Sequence, residues 1–383
     1  MKRRVRRWIS SPASKRSAPV TLENERVLAN LLTTPDFFPL KYDAQSNMML
    51  FVEMTRESFR QSVFLDDRVV RASSRTLSMG LKQLKLLPVQ PERPLHFILH
   101  GAACGSTLLA RYLEALPHGF VLKEPRLLLQ LAGQPNDTSI FDAHESGLWD
   151  DWFKLTLVLL QRAYPSDAAV IVKAPDISNW MASFLLDHDR RTKVVFLQSP
   201  LKEFLLSVLK IDGRRRWVRQ RVEALRGRLV QVRFLSEIVV ADLTDGQCGA
   251  AFWLFNCFIC SLLLARSDSD RIFPLGSATL FNQPQQAVGA VADFFGLTHD
   301  EARAAALAQL DSLSYYSKDI NRAIPYDIAA RMDELGETER RLGGKSKRRL
   351  RGRTLSAPGG FRDVPFPSNE IRFWSNQRIH DFG

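Results

Sequence analysis

Cysteine is scarce: there are four in 383 residues, at positions 104, 248, 257 and 260. That number excludes a disulfide framework and fits a reducing compartment, so the chain is expected to be cytoplasmic. Cys257-x-x-Cys260 lies inside an apolar helical run without a second pair or a histidine cluster beside it, and reads as buried thiols. Long apolar runs are also lacking. The longest, residues 249–265 (GAAFWLFNCFICSLLLA), is interrupted by Asn256 and two cysteines and reads as a buried core helix, so no transmembrane segment is expected. Acidic residues are missing from two stretches. Residues 1–20 carry +7 and residues 340–353 carry +8, which leaves −3 of the net +12 for the rest. These stretches read as solvated arms able to touch a polyanion through charge alone. Arg6-Arg7 precedes no apolar run, which argues against a secretory or twin-arginine leader.

What remains is ordinary globular composition, 45% hydrophobic and 25% charged. From residue 94 onward, short apolar runs alternate with helical patterns. The candidate strands are Leu95–Leu99, Phe120–Lys123, Ala169–Lys173, Lys193–Leu197 and Arg271–Leu275. They are unalternated, as strands buried on both faces of a parallel sheet are. The helical stretches between them cover the run after Thr107 and then Trp149–Arg162, Asn179–Leu186, Leu201–Leu209, Gly249–Arg266 and Pro284–Phe295. The expectation is an α/β fold in three layers, with a central, mostly parallel sheet flanked by helices. Four regions follow: a basic arm (1–20), a helical and irregular segment packed on the core (21–93), the α/β domain (94–338) and a basic tail containing Gly and Pro (339–383).

The chemistry-bearing stretch is Phe97 to Leu109, FILHGAACGSTLL, followed by Leu122-Lys123-Glu124-Pro125. An apolar strand ends in small residues that open a helix. Such a loop lets backbone N–H groups of the first helical turn face an oxyanion. The common nucleotide loop G-x-x-x-x-G-K-[ST] becomes His100-x-x-x-x-Gly105-Ser106-Thr107 here. Glycine is displaced to Gly101, and Ser106 stands where lysine would reach the β- and γ-phosphates. No strand ends in an acid placed to hold Mg²⁺, since Lys193–Leu197 runs into Gln198-Ser199. Both features argue against an NTP-hydrolysing site or a small-molecule kinase, and no metal ligand is assigned.

The stretch HGAACGSTLLARYLEALPHGFVLKEPRLLLQLA resembles the sulfotransferase superfamily, in particular its bacterial sulfotransferase-like P-loop branch. Phe64-Leu65-Asp66-Asp67-Arg68 is similar to that branch's Phe-Leu-Asp-x-Arg segment. Lys173-Ala174-Pro175 is similar to its Lys-x-Pro strand end, and Phe196 to Ser207 (FLQSPLKEFLLS) to its nucleotide 3′-phosphate unit. FNQPQQAVGAVADFFGL, Tyr316-Ser317-Lys318 and Arg331 resemble its late elements.

The resemblance implies a P-loop fold and a donor, 3′-phosphoadenosine-5′-phosphosulfate, whose sulfuryl group passes without metal to the hydroxyl or amine of an acceptor that the sequence does not disclose. It implies that Gly101, Ala102, Ala103, Cys104, Gly105, Ser106 and Thr107 hold the 5′-phosphosulfate, and that Lys173, Ser199, Ser207 and Lys318 contribute to the donor site. Glu124 is the candidate base, with a helix-capping role as its plain alternative. His100 is a second candidate base or an orienting group. Active relatives carry Lys or Arg where this chain has Ala103, so Lys123 or Lys173 is the candidate replacement cation. The family's 3′-phosphate arginine falls at Ser199, and Arg214, Arg215, Arg216 and Arg219 follow as either a basic helix face or an approach to that site. A P-loop protein that binds a nucleotide without chemistry is the alternative function.

Overall fold

The computed structural model describes residues 31, 33–43, 45–70, 75–86, 93–133, 148–229 and 239–297. The basic arm, the tail, Lys318 and Arg331 lie outside them.

Five strands form the central sheet: β4 (Leu95–His100), β5 (Gly119–Lys123), β6 (Ala169–Lys173), β7 (Val194–Gln198) and β8 (Ile272–Gly276). Their order is β5-β6-β4-β7-β8, and every pairing is parallel. Each lies within a residue or so of its sequence expectation. Helices join them: α4 (Ser106–Ala115), α5 (Arg126–Leu131), α6 (Leu148–Leu160), α7 (Ala182–His188), α8 (Leu201–Leu209), α9 (Asp212–Ala224), α10 (Arg226–Leu229), α11 (Asp245–Leu264), α12 (Ser277–Asn282) and α13 (Pro284–Phe295). A 3₁₀ turn, Asp176–Met181, precedes α7.

The alternation of strand side chains builds three layers. Phe97, Leu99, Leu122, Val172 and Phe196 face a core shared with α5, α6, α7, α8 and α11. Ile98, Val121, Ile171, Val195 and Leu197 face the other core, with Leu109 and Leu113 of α4 and Val288 and Val291 of α13. The resulting architecture is α/β, a wholly parallel sheet between helical layers.

The segment 21–93 departs from its expectation. Instead of helical and irregular pieces alone, it carries an antiparallel sheet of β1 (Phe37–Asp43), β2 (Met48–Glu53) and β3 (Thr76–Gly80), with short helices α1 (Arg56–Gln61), α2 (Asp67–Val70) and α3 (Leu81–Leu86). Pro39 sits where the β1–β2 register shifts, a position that needs no ladder N–H. The sheet is stapled to the main domain by the buried Arg162, whose guanidinium donates to the carbonyls of Leu31, Thr34 and Phe37.

α11 is long and apolar enough to cross a membrane by length and composition, but half of its apolar window is buried within the fold. Its N-terminus is closed by a Thr244/Gln247 capping box, and it packs against α8 and α9.

The chain leaves β4 toward β5 on one side and leaves β7 toward β8 on the other. β4 and β7 are neighbours, so a crevice opens between their carboxyl ends, the place where open α/β sheets bind ligands.

Candidate functional site

The loop between β4 and α4 occupies this crevice. Gly101 N–H donates to Leu197 O at 3.0 Å, which continues the β4–β7 ladder by one bond. Beyond it the chain turns through two left-handed residues, Ala103 (φ 61°) and Gly105 (φ 88°). Gly105 is the N-cap of α4 and has no side chain to occupy the helix end. Its missing Cβ also matters sterically, since a Cβ there would stand 2.8 Å from Phe281 Cζ. Gly101 is tighter still, because a Cβ would fall 2.0 Å from Gln198 Oε1.

Side chains clamp the loop from below. Asn179 Nδ2 donates to His100 O at 2.8 Å and to Asn256 Oδ1 at 2.6 Å. Asn256 Nδ2 is anchored on Phe252 O at 2.8 Å. Ser199 Oγ donates to Ala103 O at 3.3 Å, while Trp253 Nε1 donates to Ser199 O at 2.8 Å. Cys104 Sγ is buried against Gly101 O at 2.7 Å. α11 thus holds the loop through Trp253 and Asn256, two residues to which the sequence attached no role. Asn256 was visible only as a polar interruption of an apolar run.

The loop's donors fit an anion. Ser106 and Thr107 open the first turn of a ten-residue helix, and neither hydroxyl has a protein partner among the described residues. Beneath the loop, Gln198 Oε1, Asn179 Oδ1 and His100 Nε2 are buried without a hydrogen-bond partner among the described residues. A helix N-terminus with free hydroxyls favours negative charge.

Beside the loop stands a pair of charged groups. Glu124 follows β5 in a left-handed conformation (φ 50°), and its N–H donates to Lys173 O at 2.7 Å. That bond turns the carboxylate toward the end of β6, where it pairs with the buried Lys173 ammonium. Phe64 lies under the same ammonium, 5.6 Å from Nζ to the ring centroid, and Arg68 covers Phe64 at 4.4 Å. The 64–68 segment reaches this place because Leu65 N–H donates to Lys123 O at 2.8 Å and Arg126 N–H donates to Leu65 O at 3.0 Å.

Three sequence candidates change standing. Lys123 is buried, and its ammonium donates to both Glu114 carboxylate oxygens and to Arg60 O, each at 2.9 Å. Its three donors are spent, so it ties α4 to β5 and has no N–H left for a substrate. His100 is 5% exposed, and burial, with the nearby Lys173 charge, pushes its pKa down to about 4. A neutral, enclosed imidazole of that acidity is a poor base near neutral pH. Its Nδ1 lies 3.1 Å from Gly101 O, consistent with an orienting role. Ser199 is committed to the loop backbone, as described. Glu124, Lys173 and the 101–107 loop are brought to the carboxyl ends of β4, β5 and β6.

Ser207 lies further along α8, buried, and its Oγ accepts from Arg214 Nη1 at 2.7 Å. The α9 arginines, which the sequence leaves as either a basic helix face or an approach to the 3′-phosphate site, are half-buried except for Arg216. Arg219 pairs with Asp245, Arg221 with Asp176, and Arg215 donates to Leu209 O, leaving Arg216 exposed.

No family model matches the chain, and no curated protein matches it. Solved structures do. A sulfotransferase from Mycobacterium tuberculosis H37Rv is similar at 14% identity and TM-score 0.38, with 67% of this chain and 81% of that one covered. A sulfotransferase domain from the curacin biosynthetic pathway is similar at 16% identity and TM-score 0.34, covering 60% and 80%. A sulfotransferase domain from the Synechococcus PCC 7002 olefin synthase is similar at 18% identity and TM-score 0.33, covering 70% and 92%. Each TM-score is below 0.5.

Proposed function

We propose that the chain is a sulfotransferase that uses 3′-phosphoadenosine-5′-phosphosulfate and a hydroxyl- or amine-bearing acceptor. One observation carries this reading: an anion-binding loop with two free hydroxyls stands beside a carboxylate–ammonium pair, Glu124–Lys173. The donor supplies a sulfur electrophile with a good leaving group. The residues do the rest. Backbone N–H groups of the 101–107 loop, with Ser106 and Thr107, hold the 5′ anion and fix the sulfur for in-line attack. Glu124 takes the acceptor's proton as the new O–S or N–S bond forms. The bond from sulfur to the bridging oxygen breaks, and the electron pair leaves on the 5′-phosphate of adenosine 3′,5′-bisphosphate.

Lys173 is the cation for the charge that builds on that bridging oxygen. It takes the place left empty by Ala103 and is preferred to Lys123, whose donors are used. Ser106, standing where a kinase loop has lysine, removes the contact that ATP chemistry requires.

The test is binding and turnover together. Adenosine 3′,5′-bisphosphate raises the melting temperature of the wild type by mass action on the folded state. Glu124→Gln keeps nucleotide affinity within about 3-fold and lowers turnover with labelled donor by roughly 100-fold or more. Stabilisation by ATP·Mg²⁺ in preference to the bisphosphate rejects the reading. Tight bisphosphate binding without turnover over a broad acceptor panel leaves a nucleotide-binding protein without chemistry.

A further inference from the structure

Lys173 is buried at the end of β6, and among the described residues its ammonium has one hydrogen-bond acceptor, the Glu124 carboxylate. Lys123, in register with it on β5, has three. A single acceptor compensates poorly for an ammonium taken out of water. Phe64 supplies a second attraction. Its ring centroid lies 5.6 Å from Lys173 Nζ, within cation–π reach. The Arg68 guanidinium covers the same ring at 4.4 Å. The charge of Arg68 is already met by Asp66 through two bonds, Nε to Oδ1 at 2.7 Å and Nη2 to Oδ2 at 2.5 Å.

The turn that carries Phe64 is held from two sides. Leu65 bonds through its N–H to Lys123 O and through its carbonyl to Arg126 N–H. Asp67 accepts from Lys41 Nζ of β1 at 3.0 Å and from Arg126 Nη1 of α5 at 2.7 Å. The antiparallel sheet and the main domain thus place the ring jointly. A carbonyl or carboxylate in its place would take up an N–H in a fixed direction, as Glu114 and Arg60 do at Lys123. A ring face attracts the charge as a whole and keeps water from that side. Two N–H groups of Lys173 stay able to turn toward an oxygen on which negative charge builds.

We infer that Phe64 is a positioning residue for the transfer step: its ring holds the Lys173 ammonium beside Glu124 and leaves N–H groups for the bridging oxygen of the donor. This deepens the sulfuryl-transfer reading above and rests on it. The effect of Phe64 passes through Lys173, and the 64–68 turn of the N-terminal unit becomes part of the site.

Hydrolysis of labelled 3′-phosphoadenosine-5′-phosphosulfate by the full chain tests this, with water as the smallest hydroxyl acceptor and adenosine 3′,5′-bisphosphate as the binding probe. Pentafluorophenylalanine in place of Phe64 nearly keeps the ring's size and reverses the charge of its face. It lowers kcat by about 10-fold, while KM for the donor and bisphosphate affinity stay within about 2-fold. Phe64→Leu, which removes the face altogether, has the same effect and serves if the fluorinated chain does not fold. Phe64→Tyr keeps the face and stays within about 3-fold of the wild type. A fluorinated chain as active as the wild type overturns the assignment. So does a loss of kcat matched by an equal loss of bisphosphate affinity, which makes Phe64 a packing residue; the transfer reading stands in both cases. A wild type that neither hydrolyses the donor nor transfers to the acceptor panel overturns the transfer reading, and this inference with it.

Discussion

The loop's conformation is enforced at single residues. Gly105 and Gly296 both adopt left-handed backbone, with φ of 88° and 72°. A side chain at either position pays the left-handed penalty, about 1–2 kcal/mol. Gly105 also faces a wall, Phe281 Cζ at 2.8 Å, whereas among the described residues a Cβ on Gly296 meets nothing within 4 Å. Gly296→Ala therefore lowers unfolding free energy by about 1 kcal/mol. Gly105→Ala costs about 2–4 kcal/mol, since overpacking adds to the same backbone term. Urea midpoints of the two variants measure the difference directly, and equal losses would show that Phe281 yields freely. The small residues of this loop were legible in the sequence because an anion loop needs backbone access. The reason Gly101 must be glycine was not, since Gln198 reaches it from a different strand. Lys123 and Lys173 show the same limit. They are in register on adjacent strands, and both read as strand-end lysines. Only the tertiary partner distinguishes them, Glu114 in α4 for Lys123 and Glu124 at the end of β5 for Lys173.

Elements that bury both faces declare themselves through composition. β4 to β8 were readable to within a residue because unbroken Val, Ile, Leu and Phe runs of that length suit a covered parallel strand. β1 to β3 were not. Phe37–Asp43 contains Pro39 and ends in Lys41, Tyr42 and Asp43, residues 48–52 are an apolar run too short to tell a strand from a helical piece, and Thr76–Gly80 has a single buried residue. α11 was legible as a buried helix but not as the support of the loop. Asn256→Leu tests that role. The substitution keeps the volume and removes the acceptor for Asn179 Nδ2, which also holds His100 O. A buried donor left with one partner fewer costs about 1–3 kcal/mol. If α11 supports the loop, amide hydrogen exchange in residues 100–107 accelerates in this variant beyond its global loss of stability. Exchange that rises only in proportion to global stability would make Asn256 an ordinary core polar residue.

At the scale of the whole molecule, the central strand makes stability depend on pH. β4 carries two histidines on one face, His96 and His100, and burial holds both down to about 4. His96 is locked in one neutral tautomer. Its Nδ1 accepts from Lys193 N–H at 3.1 Å, so the proton sits on Nε2 and is donated to Phe295 O at 3.1 Å. Lys193 and Arg191 oppose a second proton there, with Asp189 favouring it, and His100 meets Lys173 against Glu124 and Asp176. The folded pKa lies below the unfolded value of 6.5, so the unfolded chain binds more protons between the two. Stability is complete above pH 6.5, falls as pH drops toward 4, and changes no further from these groups below that. Each histidine contributes up to about 3 kcal/mol over the window, from 1.36 kcal/mol per pKa unit. Glu114 works in the opposite direction, because burial raises its carboxyl and the folded state then holds a proton the unfolded state gives up. The net expectation is a loss of unfolding free energy as pH falls from 6.5 toward 4, offset in part by Glu114 at pH values above the ordinary carboxylate range. Replacing His96 by Gln, which keeps one donor and one acceptor, removes about half of the slope in urea titrations across that range. A wild-type profile flat between pH 6.5 and 5 would mean that the two imidazoles are not held neutral by the fold.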